Sequence, residues 1–240
     1  MPNYLTEGHR GFCSDYPENT LESFEAAIDL GVDGVEFDIW LTKDKEPIIM
    51  HDESAYRTTG VDRSVKDMTL QEIKQLDAGS KFNSAFAGCQ VPTLSELLDL
   101  VARKRPSLLL GVEIKDFTEE TVDITVSRLK EKGFFEQSMF YCFNARIIQY
   151  LRTRYHAKVL GYPDFAMKEF VPGSYAYYTD IGISMAVLKS EVFPLMAAKN
   201  LPMHMYCADT LEDIALCEKM GAVAITSNNV RVMMSAVNKK

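Results

Sequence analysis

A chain of 240 residues, 47% of them hydrophobic, can bury a sizeable core in one large domain or two small ones, and single α/β barrels commonly run to this length. Its formal charge of −8 is spread along the sequence without a basic stripe, which argues against nucleic acid or an anionic membrane surface as partner and favours a small molecule. The segment MPNYLTEGHRG has neither the apolar stretch nor the cleavage site of a secretory signal, and no run of about 18 apolar residues marks a membrane span. A cytoplasmic protein without stable membrane association is therefore expected. Cys13, Cys89, Cys142, Cys207 and Cys217 are odd in number and contain no C-x-x-C pair, so they read as reduced thiols, mostly buried.

Short apolar runs alternate with segments of helical period. In chain order the pattern predicts a strand at Tyr4 to Gly8, a helix at Thr20 to Leu30, and strands at Gly34 to Leu41 and Pro47 to Met50. An excursion from Asp52 to Pro92 follows, with one helix candidate at Thr69 to Leu76. Next come a helix at Thr93 to Lys104, a strand at Leu108 to Ile114, a helix at Glu119 to Lys132, a strand at Met139 to Phe143 and a helix at Ala145 to Tyr155. Strands at Lys158 to Tyr162 and Asp180 to Ser184 precede a helix at Lys189 to Lys199 and a strand at Pro202 to Tyr206. The chain closes with a helix at Leu211 to Met220, a strand at Ala222 to Thr226 and a helix at Val230 to Val237.

Strand and helix in alternation predict a parallel sheet with helices outside it. Nine strand candidates are one too many for an eight-stranded barrel, but only Thr42 to Glu46 separates the second from the third. That is too short for a parallel crossover, so the Pro47 strand should fold back antiparallel. The eight that remain match a (β/α)8 TIM barrel, with a doubly wound open sheet as the competing layout. Residues 52–92 read as a small insertion after the second barrel strand, capping the barrel mouth within a single domain spanning residues 1–240.

In GVEFDIWL, strand alternation places Glu36, Asp38 and Trp40 on one face, and in LLLGVEIKD it places Glu113 with Lys115. Charged groups inside apolar strands cost several kcal/mol unless paired or metal-bound. Glu36, Asp38 and Glu113 make a hard oxygen site suited to Mg2+ or Ca2+ rather than zinc. His9 and His51 each follow a strand, where barrel enzymes put their active residues, and two histidines can divide the acid and base roles. Arg10 and Lys115 add a guanidinium fork and a point charge suited to phosphate oxygens. Metal, two cations and two histidines together describe a phosphoryl-transfer site. His156, after a helix, and His204, inside a strand without charged neighbours, read as structural. Glu18 reads as a helix-start charge and Asn19 or Thr20 as an N-cap.

Several motifs carry a resemblance beyond these residues. They are His9-Arg10-Gly11, Pro17-Glu18-Asn19-Thr20, Gly31-x-Asp33-Gly34-Val35-Glu36-x-Asp38 and Thr42-x-Asp44, followed by Pro47-x-x-x-His51-Asp52, Arg57-x-Thr59-Gly60, Pro92-Thr93-Leu94 and Glu113-Ile114-Lys115. Their order and spacing resemble the glycerophosphodiester phosphodiesterase family, in the phosphatidylinositol-phospholipase-C-like TIM barrel superfamily. The resemblance implies one divalent metal ion, Mg2+ or Ca2+, on Glu36, Asp38 and Glu113, with His9 and His51 as the acid/base pair and Arg10 and Lys115 binding phosphate. It also moves Glu18 into the polar network of the site. The implied reaction converts glycerophosphodiesters such as glycerophosphocholine to glycerol 3-phosphate and an alcohol, through a cyclic phosphate. Which histidine begins as base stays open, as does the choice between monomer and homodimer.

The resemblance is dense in the first half and thinner in the second. Cys142-Phe143 stands where Ser-Phe is common, Tyr206-Cys207-Ala208-Asp209 where Trp-Thr-x-Asn is usual, and Thr226-Ser227-Asn228-Asn229 where Thr-Asp-x-Pro is common. Phe143 and Tyr206 are accordingly the candidates for the pocket around the glycerol or the leaving group. Two further readings are a lipid-directed relative similar to lysophospholipase D and sphingomyelinase D, and a non-catalytic barrel that binds a phosphate ligand.

Overall fold

The structure, a computed structural model, describes residues 3–238. Among these residues nine strands form: β1 (Leu5–His9), β2 (Gly34–Leu41), β3 (Pro47–Ile49), β4 (Leu109–Ile114), β5 (Ser138–Tyr141), β6 (Lys158–Gly161), β7 (Asp180–Ser184), β8 (Met203–Tyr206) and β9 (Ala224–Ser227). Strand β1 pairs in parallel with β2 on one side and with β9 on the other, so the sheet closes on itself. This closure removes the open doubly wound alternative and leaves a (β/α)8 barrel. The third strand stays outside the ring. It pairs antiparallel with β2, Ile39 opposite Ile49, and the Met50 N–H extends the hairpin to the Asp38 carbonyl at 3.1 Å.

Threonine and asparagine side chains start the helices by taking up free N–H groups. Thr20 caps Leu21–Leu30, Thr93 caps Leu94–Lys104, Thr118 caps Glu119–Glu131, Asn144 caps Ala145–Tyr155 and Thr210 caps Leu211–Lys219. Their apolar stripes cover the strands from outside, and Phe24, Leu97, Leu98, Ile147 and Ile148 are fully buried against Phe37, Val112 and Phe140. Each such side chain contributes roughly 1.5 to 3 kcal/mol on burial.

Three elements differ from expectation. The helix expected over Lys189 to Lys199 is two short ones, Met185–Leu188 and Phe193–Ala197. Ser184 caps the first several residues early, the Ser190 hydroxyl then accepts the Val192 N–H, and Pro194 is accommodated only in the first turn of a new helix. The strand expected to reach Phe143 stops at Tyr141. Within residues 52–92 only Leu70–Ile73 of the expected helix forms. That segment instead gathers Ala55, Val65, Met68, Ile73, Leu76 and Val91 around Trp40, Ile48 and Met50, in a second apolar cluster beside the β2–β3 hairpin. No helix among the described residues is long and apolar enough to cross a membrane.

Candidate active site

Strand β1 ends at His9, and the chain turns sharply through Arg10 and Gly11, at φ of 52° and 84°. Only glycine fits at position 11, since a Cβ there would lie 2.4 Å from Ser23 Oγ and 2.6 Å from its carbonyl carbon. The turn aims the Arg10 N–H at Glu36 Oε2, 3.1 Å away. It also returns the chain so that Asn19 meets Arg10, with the Asn19 N–H on the Arg10 carbonyl at 3.0 Å.

Glu36 and Asp38 from β2 and Glu113 from β4 bring carboxylate oxygens within 4.8 Å of one another, and all three residues are buried. Asp38 lies opposite Glu113 in the strand register. Burial, with Asp38 and Glu113 alongside, raises Glu36 well above the ordinary carboxyl range. Burial and Asp38 push Glu113 up to about 7, against the pull of Lys115. Burial also opposes the charge on Asp38, but Lys115, Arg10 and His51 outweigh it and hold Asp38 low. Among the described residues no group donates a hydrogen bond to the buried Glu36 Oε1 or Asp38 Oδ1, the latter having only the Lys115 charge at 3.4 Å. Crowded, desolvated carboxylate oxygens with unused lone pairs fit a hard divalent cation, which would relieve both their repulsion and their lost hydration.

Cations brace this cluster. Lys115 Nζ is 2.7 Å from Glu113 Oε1 and 3.4 Å from Asp38 Oδ1. Arg10 Nε is 3.4 Å from Asp38 Oδ2, and its Nη1 donates to Glu18 Oε1 at 3.0 Å. Glu18 in turn receives both terminal nitrogens of Arg57 at 2.7 Å each. Burial resists the Glu18 charge, yet Arg57 and Arg10 more than offset it and lower the carboxyl's pKa.

The two histidines have unlike partners. His51 Nδ1 is 2.6 Å from Asp52 Oδ1, and Arg57 Nε holds the other oxygen of that carboxylate. His9 Nδ1 is 2.6 Å from the side-chain amide of Asn228, and its Nε2 lies 3.8 Å from Glu36 Oε2. Burial and the neighbouring Arg10 charge lower the pKa of His9.

These groups open on a cavity of about 310 Å3 at the C-terminal end of the barrel, lined by His9, Arg10, Glu36, His51, Glu113 and Lys115. Aromatic side chains complete the lining. Phe143 stacks on Tyr162 at 3.6 Å between ring centres and an angle of 6°, and Tyr206 meets Tyr162 edge-on at 5.7 Å. Gly182 makes this possible, because a Cβ there would lie 2.5 Å from the Tyr162 ring.

Of the residues singled out from sequence, His9, Arg10, Glu36, His51, Glu113, Lys115, Phe143 and Tyr206 all line this one cavity. Asp38 sits just behind, and Glu18 reaches it through Arg10. His156 caps a helix end in a left-handed conformation, outside the cavity. Of the two cap candidates Thr20 takes the role, and Asn19 Nδ2 donates to Asp38 Oδ2 at 2.8 Å. One expectation is corrected. His204 does have a charged neighbour, Asp180 Oδ1 at 3.1 Å, and it lines the cavity floor with Tyr141 and Thr226. Tyr162, Asp52, Arg57 and Asn228 were not singled out. Asp52 and Arg57 carried a signal as neighbours in the motifs around His51 and Thr59, and Asn228 carried one as part of the departure Thr226-Ser227-Asn228-Asn229.

Fold and site together define a (β/α)8 barrel with an acidic, cation-braced cavity at the C-terminal ends of its strands. The chain belongs to the glycerophosphoryl diester phosphodiesterase family, whose model matches residues 9–232. It is 42% identical over 250 residues to a glycerophosphodiester phosphodiesterase of Bacillus subtilis, covering 93% of this chain and 83% of that one. A glycerophosphodiester phosphodiesterase of Caldanaerobacter subterraneus is 41% identical over 143 residues, and there the chain spans 58% of the relative's length and 58% of its own. Among solved structures, a glycerophosphodiester phosphodiesterase of Agrobacterium tumefaciens superposes with a TM-score of 0.79 at 23% identity, covering 97% of this chain and 99% of that one. A phosphodiesterase of Oleispira antarctica, solved in complex with the product sn-glycerol-3-phosphate, gives 0.81 at 24% identity and covers 98% and 96%. At such identities the structural likeness establishes the fold.

Proposed function

We propose that this protein hydrolyses glycerophosphodiesters to glycerol 3-phosphate and an alcohol. The observation that carries this reading is a single cavity onto which three buried carboxylates, two cations and two histidines converge. Glu36, Asp38 and Glu113 would hold the divalent ion, Mg2+ or Ca2+, which supplies Lewis-acid polarisation of the phosphate and its neighbouring hydroxyl.

The remaining chemistry belongs to side chains. Arg10 and Lys115 donate to the non-bridging oxygens and hold the charge that builds there as the glycerol hydroxyl attacks phosphorus. One histidine takes the hydroxyl proton while the other protonates the departing alcohol, and a cyclic phosphate forms. Water then opens the cycle with the histidine roles exchanged. Glu18 anchors Arg10 for this task. The stacked Phe143 and Tyr162, with Tyr206, offer an apolar surface to the glycerol or the head group.

Residues 52–92 are assigned as a cap on the mouth of a single domain, a role supported by the Arg57 bridge from that segment to Glu18. Free thiols throughout support a cytoplasmic setting. The test is release of glycerol 3-phosphate from glycerophosphocholine and glycerophosphoethanolamine, with lysophosphatidylcholine as the lipid control. EDTA should abolish release and Mg2+ or Ca2+ restore it; activity that survives chelation sinks the metal assignment, and preference for the lipid sinks the substrate class.

A further inference from the structure

A side-chain amide can be placed either way round, but here its surroundings decide. Asp209 Oδ2 lies 2.7 Å from one arm of the Asn228 amide, and a carboxylate only accepts, so that arm must be Nδ2. Asp209 is itself held, since its Oδ1 accepts the Asn228 N–H at 2.7 Å and the Ser227 hydroxyl at 3.0 Å. The arm facing His9 is then Oδ1, which can only accept. It takes the Cys13 thiol proton at 3.1 Å and lies 2.6 Å from His9 Nδ1. Burial pushes the Cys13 thiol up to about 12, so Cys13 remains a donor to the same oxygen. With every other partner fixed, His9 Nδ1 must carry its proton, and the neutral ring has its lone pair on Nε2, the nitrogen on the Glu36 side.

We infer that Asn228, locked by Asp209, is a positioning residue that holds His9 as the Nδ1-protonated tautomer and so presents Nε2 to the reacting groups. The chain of contacts joins the loop after β8 and the end of β9 to the end of β1, so a side chain 219 residues away orients a candidate acid/base group. The inference rests on the phosphodiesterase reading for its catalytic meaning, but the tautomer is a property of the resting protein. Ser227 stands where the family resemblance leads one to expect aspartate, and the carboxylate is instead supplied by Asp209 acting through a neutral amide.

Two measurements test it. Long-range 15N correlation spectra of histidine-labelled protein at about pH 8, where imidazoles are neutral, should show His9 protonated on Nδ1 alone, with the peak assigned by its loss in H9A. Asn228→Ala should give a mixture of tautomers and lower kcat about 10- to 100-fold with KM little changed, as for other residues that orient a ligating or reacting group. D209N and N228D should each be impaired, the first by freeing the amide to rotate and the second by placing two carboxylates together. The double variant D209N/N228D restores one amide and one carboxylate in reversed order, and should recover to within about threefold of the parent. A His9 proton found on Nε2, an N228A protein with unchanged tautomer and kcat, or a double variant no better than the singles would each overturn the inference. The spectra stand even if no glycerophosphodiester is turned over, so failure of the inference and failure of the functional reading are distinguishable.

Discussion

Arg57 grips both oxygens of Glu18, Nη1 on Oε2 and Nη2 on Oε1 at 2.7 Å each, while its Nε reaches Asp52. One guanidinium thus steadies the carboxylate behind Arg10 and the carboxylate behind His51. With 46% of its side chain exposed, Arg57 adds little to stability, as screened pairs generally do. Arg57→Ala should therefore lower kcat/KM about 10- to 100-fold, the range for residues that orient others, while the unfolding temperature barely moves. Steady-state kinetics beside a thermal melt would show the contrast, and equal losses in both would assign Arg57 a merely structural part.

The buried carboxylates make stability depend on pH in an unusual direction. Glu113, pushed up to about 7 from an ordinary 4.5, binds a proton more tightly in the folded chain than in the unfolded one. The folded state is then favoured below about 4.5 and loses that advantage as pH rises through about 7, by roughly 3 kcal/mol at about 1.4 kcal/mol per unit. Glu36 is shifted the same way and adds to the effect. Metal-free protein should melt at falling temperature between about pH 5 and 8. Mg2+ or Ca2+ should reverse most of the loss at the upper end and little of it at the lower. Glu113→Gln should flatten the metal-free profile.

His51 stands at the cavity with its Nδ1 on Asp52, and the proposed mechanism gives its Nε2 the proton transfer. Removing an acid/base group of this kind costs about 100- to 10,000-fold in kcat, and His51→Ala should fall in that range without loss of fold. Asp52→Asn should cost less, since it removes the charge but retains an oxygen acceptor for Nδ1. A His51→Ala enzyme with near-normal turnover would refute the assignment.

Gly182 lacks a side chain where one would strike the Tyr162 ring at 2.5 Å and Leu160 Cδ2 at 2.9 Å. Tyr162 is pinned beneath Phe143, so the ring cannot step aside without breaking the stack. Gly182→Ala should destabilise the barrel by about 1 to 3 kcal/mol, the usual cost of overpacking. It should also raise KM several-fold. Unchanged KM would mean that the aromatic wall does not touch the substrate.

Much of the barrel was legible because a strand's period of two is hard to disguise. Glu36 and Asp38 share a face by arithmetic alone, and the short Thr42 to Glu46 link left β3 no choice but to turn back. The apolar spacing over Lys189 to Lys199 was equally regular, yet Ser184, Ser190 and Pro194 cut it in two, because local hydrogen bonding and a missing N–H outrank periodicity. In the site, residues within motifs were legible and their remote partners were not. Asn19 looks like a cap until Thr20 is seen to occupy that place, and His204 looks isolated until β7 brings Asp180 beside it. Asn228 lies in a stretch whose departure from the family pattern is legible, but its contact with His9 is not, since that comes from a barrel that closes β9 onto β1.

The hairpin of β2 and β3 ties His51 to the carboxylates more closely than their separation in sequence conveys. Ile49 is in register with Ile39, and the Met50 N–H is bonded to the Asp38 carbonyl, one residue before the histidine. The spacing between a candidate proton donor and a candidate metal ligand is thus set by a backbone ladder that is complete before residue 52 is reached. Beyond Asp52 and Arg57, whose side chains brace the site, the chain can lengthen or shorten at small entropic cost, and the ladder keeps such changes of length from moving His51 against the carboxylates. If that segment caps the cavity as proposed, its length is free to diversify for new head groups while the groups beneath it keep their spacing.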